Sequence, residues 1–335
     1  MPDATPAPVP APGPDQAEHA PAVSVGVMLP RDLPAGEVLA FARRAEELGF
    51  AELWVVEDLG FRGGIAQAAA VLAATERIRV GIGLLPTAAR NVGFAAMEMN
   101  TLAELFPGRV DVGLGHGLPG WMRQVGAWPA SPLTLLSEEL DALRGLLRGE
   151  SVSVEGRYVR LRDVRLESPA PQPPSLLVGA RRPRTHRIAG ELADGTVLAE
   201  PVTPEYVAVA LGHTQPPAGH RVVAYDVAAV HDDAAVARHR ARPALEWIGE
   251  PDWSVHIEPL PFARELAELR ASCADRAEFT RRMPDAWVDR LALVGPADVV
   301  RARIAELGRA GVTSVVLMAA GVDARDALES FAAVV

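Results

Sequence analysis

Short apolar runs alternate with stretches of helical spacing from Val23 to the end of the chain. The short runs are continuously apolar, as in buried strands, whereas the helical stretches repeat apolar residues every three or four positions. Eight such runs lie at 23–29, 51–57, 79–85, 109–115, 175–180, 195–200, 221–230 and 313–320. Regular β–α alternation predicts a parallel sheet, and eight units in this length favour a closed (β/α)8 TIM barrel of the α/β class.

Three segments fall outside this alternation. A hairpin is predicted at 151–161, and a long helical stretch between the seventh and eighth strands contains "EWIGEPDWSVHIEPLPF", residues 246–262. Two tryptophans and a histidine make 246–262 a candidate cover over the barrel mouth. Residues 1–22 are rich in proline and alanine and lack the basic start and apolar core of a signal peptide. We therefore expect a disordered tail at 1–22 and a single barrel domain at 23–335.

Composition narrows the classes of partner. The net charge is −10 and the chain has no basic block, which argues against nucleic acid. The single cysteine, Cys273, excludes an internal disulfide and a cysteine metal cluster, and suits a reducing cytoplasm. No metal-ligand spacing such as HExxH occurs, and no apolar run approaches the ~20 residues of a membrane span. We expect a cytoplasmic protein with neither metal nor membrane, so that redox chemistry would require an organic cofactor.

The stretch "GARRPRTHRIAGEL" starts a helix among three arginines, Arg181, Arg182 and Arg184. Pro183 suits the first helical position. The helix dipole is positive there, so each uncompensated cation should cost roughly 0.3 to 1 kcal/mol. Either a bound phosphate offsets these charges, or the arginines are solvated and paired with surface carboxylates. The residues alone leave both interpretations open.

In such barrels ligands bind at the carboxyl ends of the strands. The second strand ends at Glu57 and Asp58, the sixth at Glu200, and the fourth at His116, whose neighbouring glycines would let the backbone approach a ligand. Because strand side chains alternate, at most one carboxylate of the Glu57–Asp58 pair is expected in the mouth, where it could act as an acid or base. Alternatively, Glu57 pairs with Arg90 to stabilise the fold, and His116 is a hydrogen-bonded structural residue.

Several motifs in one order resemble a known family. "GIGLLPTAARNVGFAAMEMNTLAELFPGRVDVGLGHG" (81–117) lies between "ELWVVED" and "GELADGTV", and "LVGPADVVRARIAELGRAGVTSVVL" follows near the end. Together they are similar to the bacterial luciferase-like superfamily of flavin- and deazaflavin-dependent oxidoreductases. The resemblance runs from about Val25 to Val316 and implies a (β/α)8 barrel, in agreement with the strand count. It also implies FMN or coenzyme F420 as cofactor, a small organic substrate, and a possible homodimer.

The resemblance further implies a non-prolyl cis peptide near Gly83 and Leu84, behind the cofactor ring. It assigns the phosphate to the turn after the fifth strand and to His116, where the luciferase has an arginine. The implied cofactor contacts are Gly83, Leu84, His116, Gly117, Gly179, Ala180, Arg181 and Arg182.

The chain also departs from the family. Asp58 stands where the luciferase and the deazaflavin dehydrogenases have a catalytic histidine, and Leu118 stands where those dehydrogenases have a catalytic glutamate. Asp58 or Glu57 then becomes the candidate proton donor or acceptor, and Leu118 and Trp121 are candidates for an apolar substrate pocket. The sequence leaves open monooxygenation with FMN or hydride transfer with F420, and as an alternative a non-catalytic flavin-binding protein on the same barrel.

Overall fold

A closed parallel sheet forms the centre of the computed structural model, which describes residues 23–335. The predicted tail at 1–22 lies outside the described residues. The strands are β1 Ser24–Met28, β2 Glu52–Val55, β3 Arg79–Pro86, β4 Val110–Gly115, β5 Val152–Glu155, β6 Arg160–Val164, β7 Ser175–Gly179, β8 Gly195–Leu198, β9 Arg221–Val230, β10 Leu293–Gly295 and β11 Ser314–Ala319.

Eight of these strands close the barrel in the order β1, β2, β3, β4, β7, β8, β9 and β11, with β11 returning to β1. All of their pairings are parallel. The predicted (β/α)8 barrel is therefore confirmed. The register between β3 and β4 shifts between Ile82 and Leu85, at the mouth end of β3. The predicted hairpin is also present, as the antiparallel pair β5–β6.

Helices follow the strands and surround the barrel. They are α1 Val38–Glu47, α2 Gly64–Ala74, α3 Val92–Leu105, α4 Pro119–Gln124, α5 Pro132–Leu147, α6 Pro183–Leu192, α7 Pro204–Thr214, α8 Ala234–Ala241, α9 Ser254–Ile257, α10 Ala263–Ser272, α11 Arg276–Arg282, α12 Asp285–Leu291, α13 Ala297–Arg309 and α14 Ala324–Phe331. Within residues 23–335, no helix combines the length and apolar character needed to cross a membrane.

The segment between β9 and β11 differs from the prediction of a long helical stretch. It contains α8 to α12, the short strand β10, which pairs with Ala228–Val230 at the end of β9, and then α13. A three-residue strand is too short to show a period in the sequence. The inserted helices bury a second apolar cluster, including Phe279 and Leu291, against Val227 and Ala229 of β9. Val227 and Ala229 continue the face of β9 that carries Val223 and Tyr225, so the insertion packs on the inward-facing side of β9 at its carboxyl end.

Charged side chains fill the lower part of the barrel interior. Arg221 on β9 contacts Asp111 on β4 at 2.5 Å and Glu52 on β2 at 2.8 Å, and Arg79 contacts Asp111 at 2.5 Å. Glu52 and Asp111 are almost completely buried. Although burial opposes the charge of Arg221, Asp111 and Glu52 hold its pKa above the usual value. These ion pairs connect strands on opposite sides of the barrel.

Aromatic residues lie above this ion cluster. Trp54 donates its indole N–H to Glu52 at 2.7 Å, and its ring meets Tyr225 edge to face with centroids 5.7 Å apart. The two rings pack with the buried side chains of Leu177, Val197, Val223 and Val316. The interior is therefore a packed core that ends just below the mouth.

Replacing Arg221 tests the ion cluster. We expect Arg221→Met to lower the free energy of unfolding by about 3–5 kcal/mol, because Glu52 and Asp111 lose a buried counter-charge. Urea denaturation measures this change. As a matched control, Arg325→Met removes an exposed pair with Glu37 and should change stability by no more than about 1 kcal/mol. Equal effects of the two substitutions would contradict the assignment.

Candidate active site

The Gly83–Leu84 peptide forms the floor of the barrel mouth. Its bond is cis, which confirms the non-prolyl cis peptide that the resemblance implies. Leu84 is half-buried, and its side chain lies against glycines of the next two strands. A Cβ atom built on Gly113 or Gly115 would come within 2.6 or 2.7 Å of the Leu84 methyl groups, and one on Gly179 would also collide with them. The glycine before His116 thus makes room for Leu84, rather than for a ligand as the sequence suggested.

Gly83 itself is constrained from below. A Cβ atom at this position would collide with the hydroxyl oxygen of Tyr225. That hydroxyl is buried and has no hydrogen-bond partner within the described chain. Burial raises the pKa of Tyr225 well above its ordinary value, with Glu52 and Glu200 adding to the shift, so the hydroxyl stays protonated. Sequence reasoning missed Tyr225, although its alternation with Val223 on β9 places both side chains inside the barrel.

The start of α6 forms one wall of the mouth. Pro183 occupies the first helical position as predicted, Arg182 is the preceding residue, and no side chain caps the free N–H groups. Arg181 stacks its guanidinium on Trp253 at 4.6 Å from the ring centre. In the described part of the chain, no carboxylate lies within ion-pair distance of Arg181, Arg182 or Arg184, so pairing with surface carboxylates is not what offsets these charges.

His116 lies beside the same helix start. Its Nε2 atom is 3.4 Å from the hydroxyl oxygen of Thr185 in the first turn of α6. The Nδ1 atom is buried without a partner in the described chain, and burial lowers the pKa of the ring below its usual value. The residues that the sequence singled out after β4 and after β7 therefore meet at one place. There a neutral imidazole lies next to the free backbone N–H groups of α6.

The two adjacent carboxylates have different partners. The Glu57 carboxylate accepts hydrogen bonds from both terminal nitrogens of Arg90, at 2.7 Å each. It also accepts one from the backbone N–H of Gly64 at 2.7 Å. The predicted Glu57–Arg90 pair is confirmed, and it ties the β2 loop to the segment after β3. Asp58 forms a single contact of 2.5 Å with Arg31, which follows β1.

Glu200 faces the mouth from β8, opposite β2 in the strand order. It precedes a cis proline, Pro201. Burial raises the pKa of the Glu200 carboxyl, Arg181 counteracts this shift, and Asp58 adds to it. Trp253 donates its indole N–H to the Glu200 carbonyl at 3.1 Å, which fixes the backbone at this point.

The 246–262 segment contacts the mouth at this β8 turn. His256 donates from Nδ1 to the carbonyl of Pro201 at 3.2 Å and stacks on Tyr206, with ring centres 4.2 Å apart. Burial lowers the pKa of His256 to about 3, with Arg181 contributing to the shift. The tryptophan and histidine that made this segment a candidate cover therefore hold it against the barrel rim.

The predicted substrate-pocket residues lie on the loop and short helix after β4. Gly117 has φ +69°, a conformation that favours glycine, and a side chain there would collide with Met122 of α4. This tight turn leads into Leu118, which is 48% exposed, and then into Trp121, which is partly buried. Both are thus on the rim of the mouth rather than on its floor.

Comparisons with known proteins all point to one family. Residues 14–314 match the family described as luciferase-like monooxygenase. The 5,10-methylenetetrahydromethanopterin reductase of Methanolobus tindarius is 27% identical over 296 residues, covering 84% of this chain and 90% of that protein. The F420-dependent glucose-6-phosphate dehydrogenase of Microbacterium testaceum is 29% identical over 279 residues, covering 76% of this chain and 83% of that protein.

A solved structure shows the same fold. The coenzyme F420-dependent tetrahydromethanopterin reductase from Methanopyrus kandleri superimposes with a TM-score of 0.79 at 21% identity. The match covers 93% of this chain and 97% of that one. The inserted helices between β9 and β11 thus belong to an architecture that spans almost the full length of both chains.

Proposed function

The chain belongs to the luciferase-like monooxygenase family, and we propose that it is an oxidoreductase that exchanges a hydride between coenzyme F420 and a small organic substrate. Similarity to an F420-dependent dehydrogenase and to the reductases favours the deazaflavin. The observation that carries the proposal is the pairing of an apolar floor at Leu84 with the uncapped, arginine-bearing start of α6. A flat ring that bears a phosphate requires both surfaces.

The residues of the mouth suit such a ligand. In our proposal Leu84 and the Gly83 peptide support the ring, and the phosphate lies against the backbone N–H groups of α6. Gly179 and Ala180 lead from β7 into the turn before α6. Arg181 and Arg182 supply positive charge at this turn. His116 and Gly117, which follow β4, close its other side. The buried hydroxyl of Tyr225 supplies a donor below the floor. When bound there, F420 supplies the hydride donor or acceptor.

The protein's own contribution is proton transfer and the exclusion of water. We assign proton transfer to Asp58, with Glu200 on the opposite wall as a second carboxyl group whose raised pKa favours its protonated form. Glu57 shares its oxygens among three donors, so in our proposal it positions Asp58 rather than reacting. Leu118 and Trp121 on the rim cover the substrate from water.

Cofactor binding is the first test. We expect purified protein to bind F420 more tightly than FMN, and Arg181→Ala with Arg182→Ala to weaken binding at least tenfold through loss of phosphate contacts. Cofactor fluorescence and calorimetry measure both affinities. Arg160→Ala with Arg162→Ala, on the β5–β6 hairpin, removes the same charge and should leave the affinity within twofold. If FMN binds more tightly than F420, the proposed cofactor becomes FMN and the favoured activity becomes monooxygenation.

Loss of Asp58 tests the catalytic assignment. With F420 and a panel of small ketones, alcohols and imines, Asp58→Asn should lower kcat about 10²-fold while cofactor affinity stays within twofold, because the amide cannot transfer the proton. Stopped-flow absorbance of the cofactor follows the reaction. Full activity in the Asp58→Asn variant would remove Asp58 from the mechanism. Cofactor binding without turnover of any compound would instead favour the non-catalytic flavin-binding alternative.

We also propose that residues 23–335 act as one domain and pair as a homodimer. The outer face of α2 exposes only small side chains, at Ala66, Ala70 and Ala73, and the helix carries no charge. Neighbouring α3 exposes large apolar ones, with Phe94 at 67%, Met97 at 54% and Leu105 at 64%. Large side chains beside a row of small ones match a second copy of the same face across a two-fold axis.

A charge on this face tests the dimer. Met97→Glu should shift the protein from dimer to monomer in sedimentation velocity, because the buried carboxylate would lack a partner. Val299→Glu, on the exposed side of α13, is the control and should leave the dimer intact. A wild-type protein that sediments as a monomer at tens of micromolar would contradict the proposal.

A further inference from the structure

Arg181 differs from the two other arginines at the start of α6. It is half-buried, whereas Arg182 and Arg184 are exposed. The central carbon of its guanidinium lies over the ring of Trp253, 4.6 Å from the ring centre. A residue of the 246–262 segment therefore restrains one arginine of the three.

The kind of partner decides what Arg181 can still bind. A carboxylate would use the N–H donors of the guanidinium and cancel its charge. An aromatic face attracts the cation without accepting a conventional hydrogen bond, so the donors and the charge remain available to an anion. Among residues 23–335, no carboxylate lies within ion-pair distance of Arg181. Trp253 therefore restrains this side chain without neutralising it.

Trp253 is itself fixed by its surroundings. Its indole N–H donates to the carbonyl of Glu200 at 3.1 Å. Its ring lies beside that of Trp247, with ring centres 6.0 Å apart, and the guanidinium of Arg276 lies over Trp247 at 3.5 Å from the ring centre. Arg276 is the first residue of α11 and also pairs with Glu250 at 3.0 Å. A continuous chain of contacts thus holds the ring between the β8 turn and α11.

Two separate parts of the indole contact the barrel. The face of the ring meets Arg181, and the N–H at its edge meets the Glu200 carbonyl. Trp253→Phe removes the edge contact and keeps an aromatic face, whereas Trp253→Leu removes both. Support of the β8 turn and support of Arg181 are therefore separable by substitution.

We propose that Trp253 is a positioning residue, which holds the guanidinium of Arg181 with its charge and donors free for the phosphate of the cofactor. A restrained side chain loses less conformational freedom when an anion binds, so the restraint increases affinity. The inference rests on the proposed function and goes beyond it, because it makes the 246–262 segment part of the binding machinery. Trp253 then raises cofactor affinity through Arg181 alone.

A double-mutant cycle of Trp253 and Arg181 tests the proposal. Trp253→Leu should weaken F420 binding about fivefold in a fluorescence titration, because Arg181 loses its support. Trp253→Phe should bind within about twofold of wild type, because an aromatic face remains. In an Arg181→Ala background, Trp253→Leu should change the affinity by less than about twofold, since no guanidinium remains to be positioned.

A tryptophan elsewhere in the insertion is the matched control. Trp287 of α12 stacks on Phe262, with ring centres 5.0 Å apart. Trp287→Leu should leave the affinity at the wild-type value, and circular dichroism checks that each variant is folded. Equal losses in the Trp253→Leu and Trp253→Phe variants, or the same loss from Trp253→Leu with and without Arg181, would overturn the positioning role.

Failure of this inference is distinguishable from failure of the proposed function. Wild-type affinity in the Trp253→Leu variant would overturn the positioning role and leave the proposed function standing. If FMN binds more tightly than F420, the proposed cofactor falls, and the same cycle measured with FMN, which also carries a phosphate, tests Trp253. Binding of neither cofactor by the wild-type protein would overturn both.

Discussion

The ion cluster of Arg221, Glu52 and Asp111 constrains everything above it in the barrel. Its two carboxylates are buried, so loss of Arg221 would leave negative charge in the interior with fewer counter-charges. Glu52 also accepts the indole hydrogen of Trp54, which fixes the ring that packs against Tyr225. Tyr225 in turn meets Gly83 at the floor of the mouth. A polar contact near the base of the barrel thus determines, through two aromatic rings, the surface on which a ligand would lie.

Among the described residues, charged side chains have ion-pair partners at the second loop of the barrel but not at the start of α6. Glu57 and Arg90 neutralise one another at the second loop, and Arg31 pairs with Asp58. The start of α6 is different, because its arginines lack carboxylate partners in the part of the chain that the structure describes. An unpaired basic surface in an acidic protein adds no net stability to the fold, since the helix dipole opposes it. In our proposal these charges bind the cofactor phosphate, which is the reason for three arginines at a helix start.

Much of the site followed from strand ends, because a parallel barrel gathers the carboxyl ends of its strands at one face. That rule brought His116 and the Arg181–Arg182 turn together, and the family resemblance located the cis peptide at Gly83–Leu84. The rule does not give side-chain direction. Leu84 folds across β4 and β7, so glycines that seemed to make space for a ligand make space for a leucine. Tyr225 and the β8 turn around Glu200 gain their importance only from neighbours distant in the sequence.

The sequence by itself determined the β–α alternation, the eight barrel strands, the Pro183 helix start and the family, because periodicity, turn residues and motif spacing are local properties of the chain. It also allowed the Glu57–Arg90 pair as one of two interpretations. Only the tertiary structure decided which groups remain without partners, since a partner is defined by distance in space. The contacts of Trp253 and His256 with the β8 turn depend on an insertion folding back onto the barrel. No local pattern encodes that return, because it arises from burial of apolar residues of the insertion against β9.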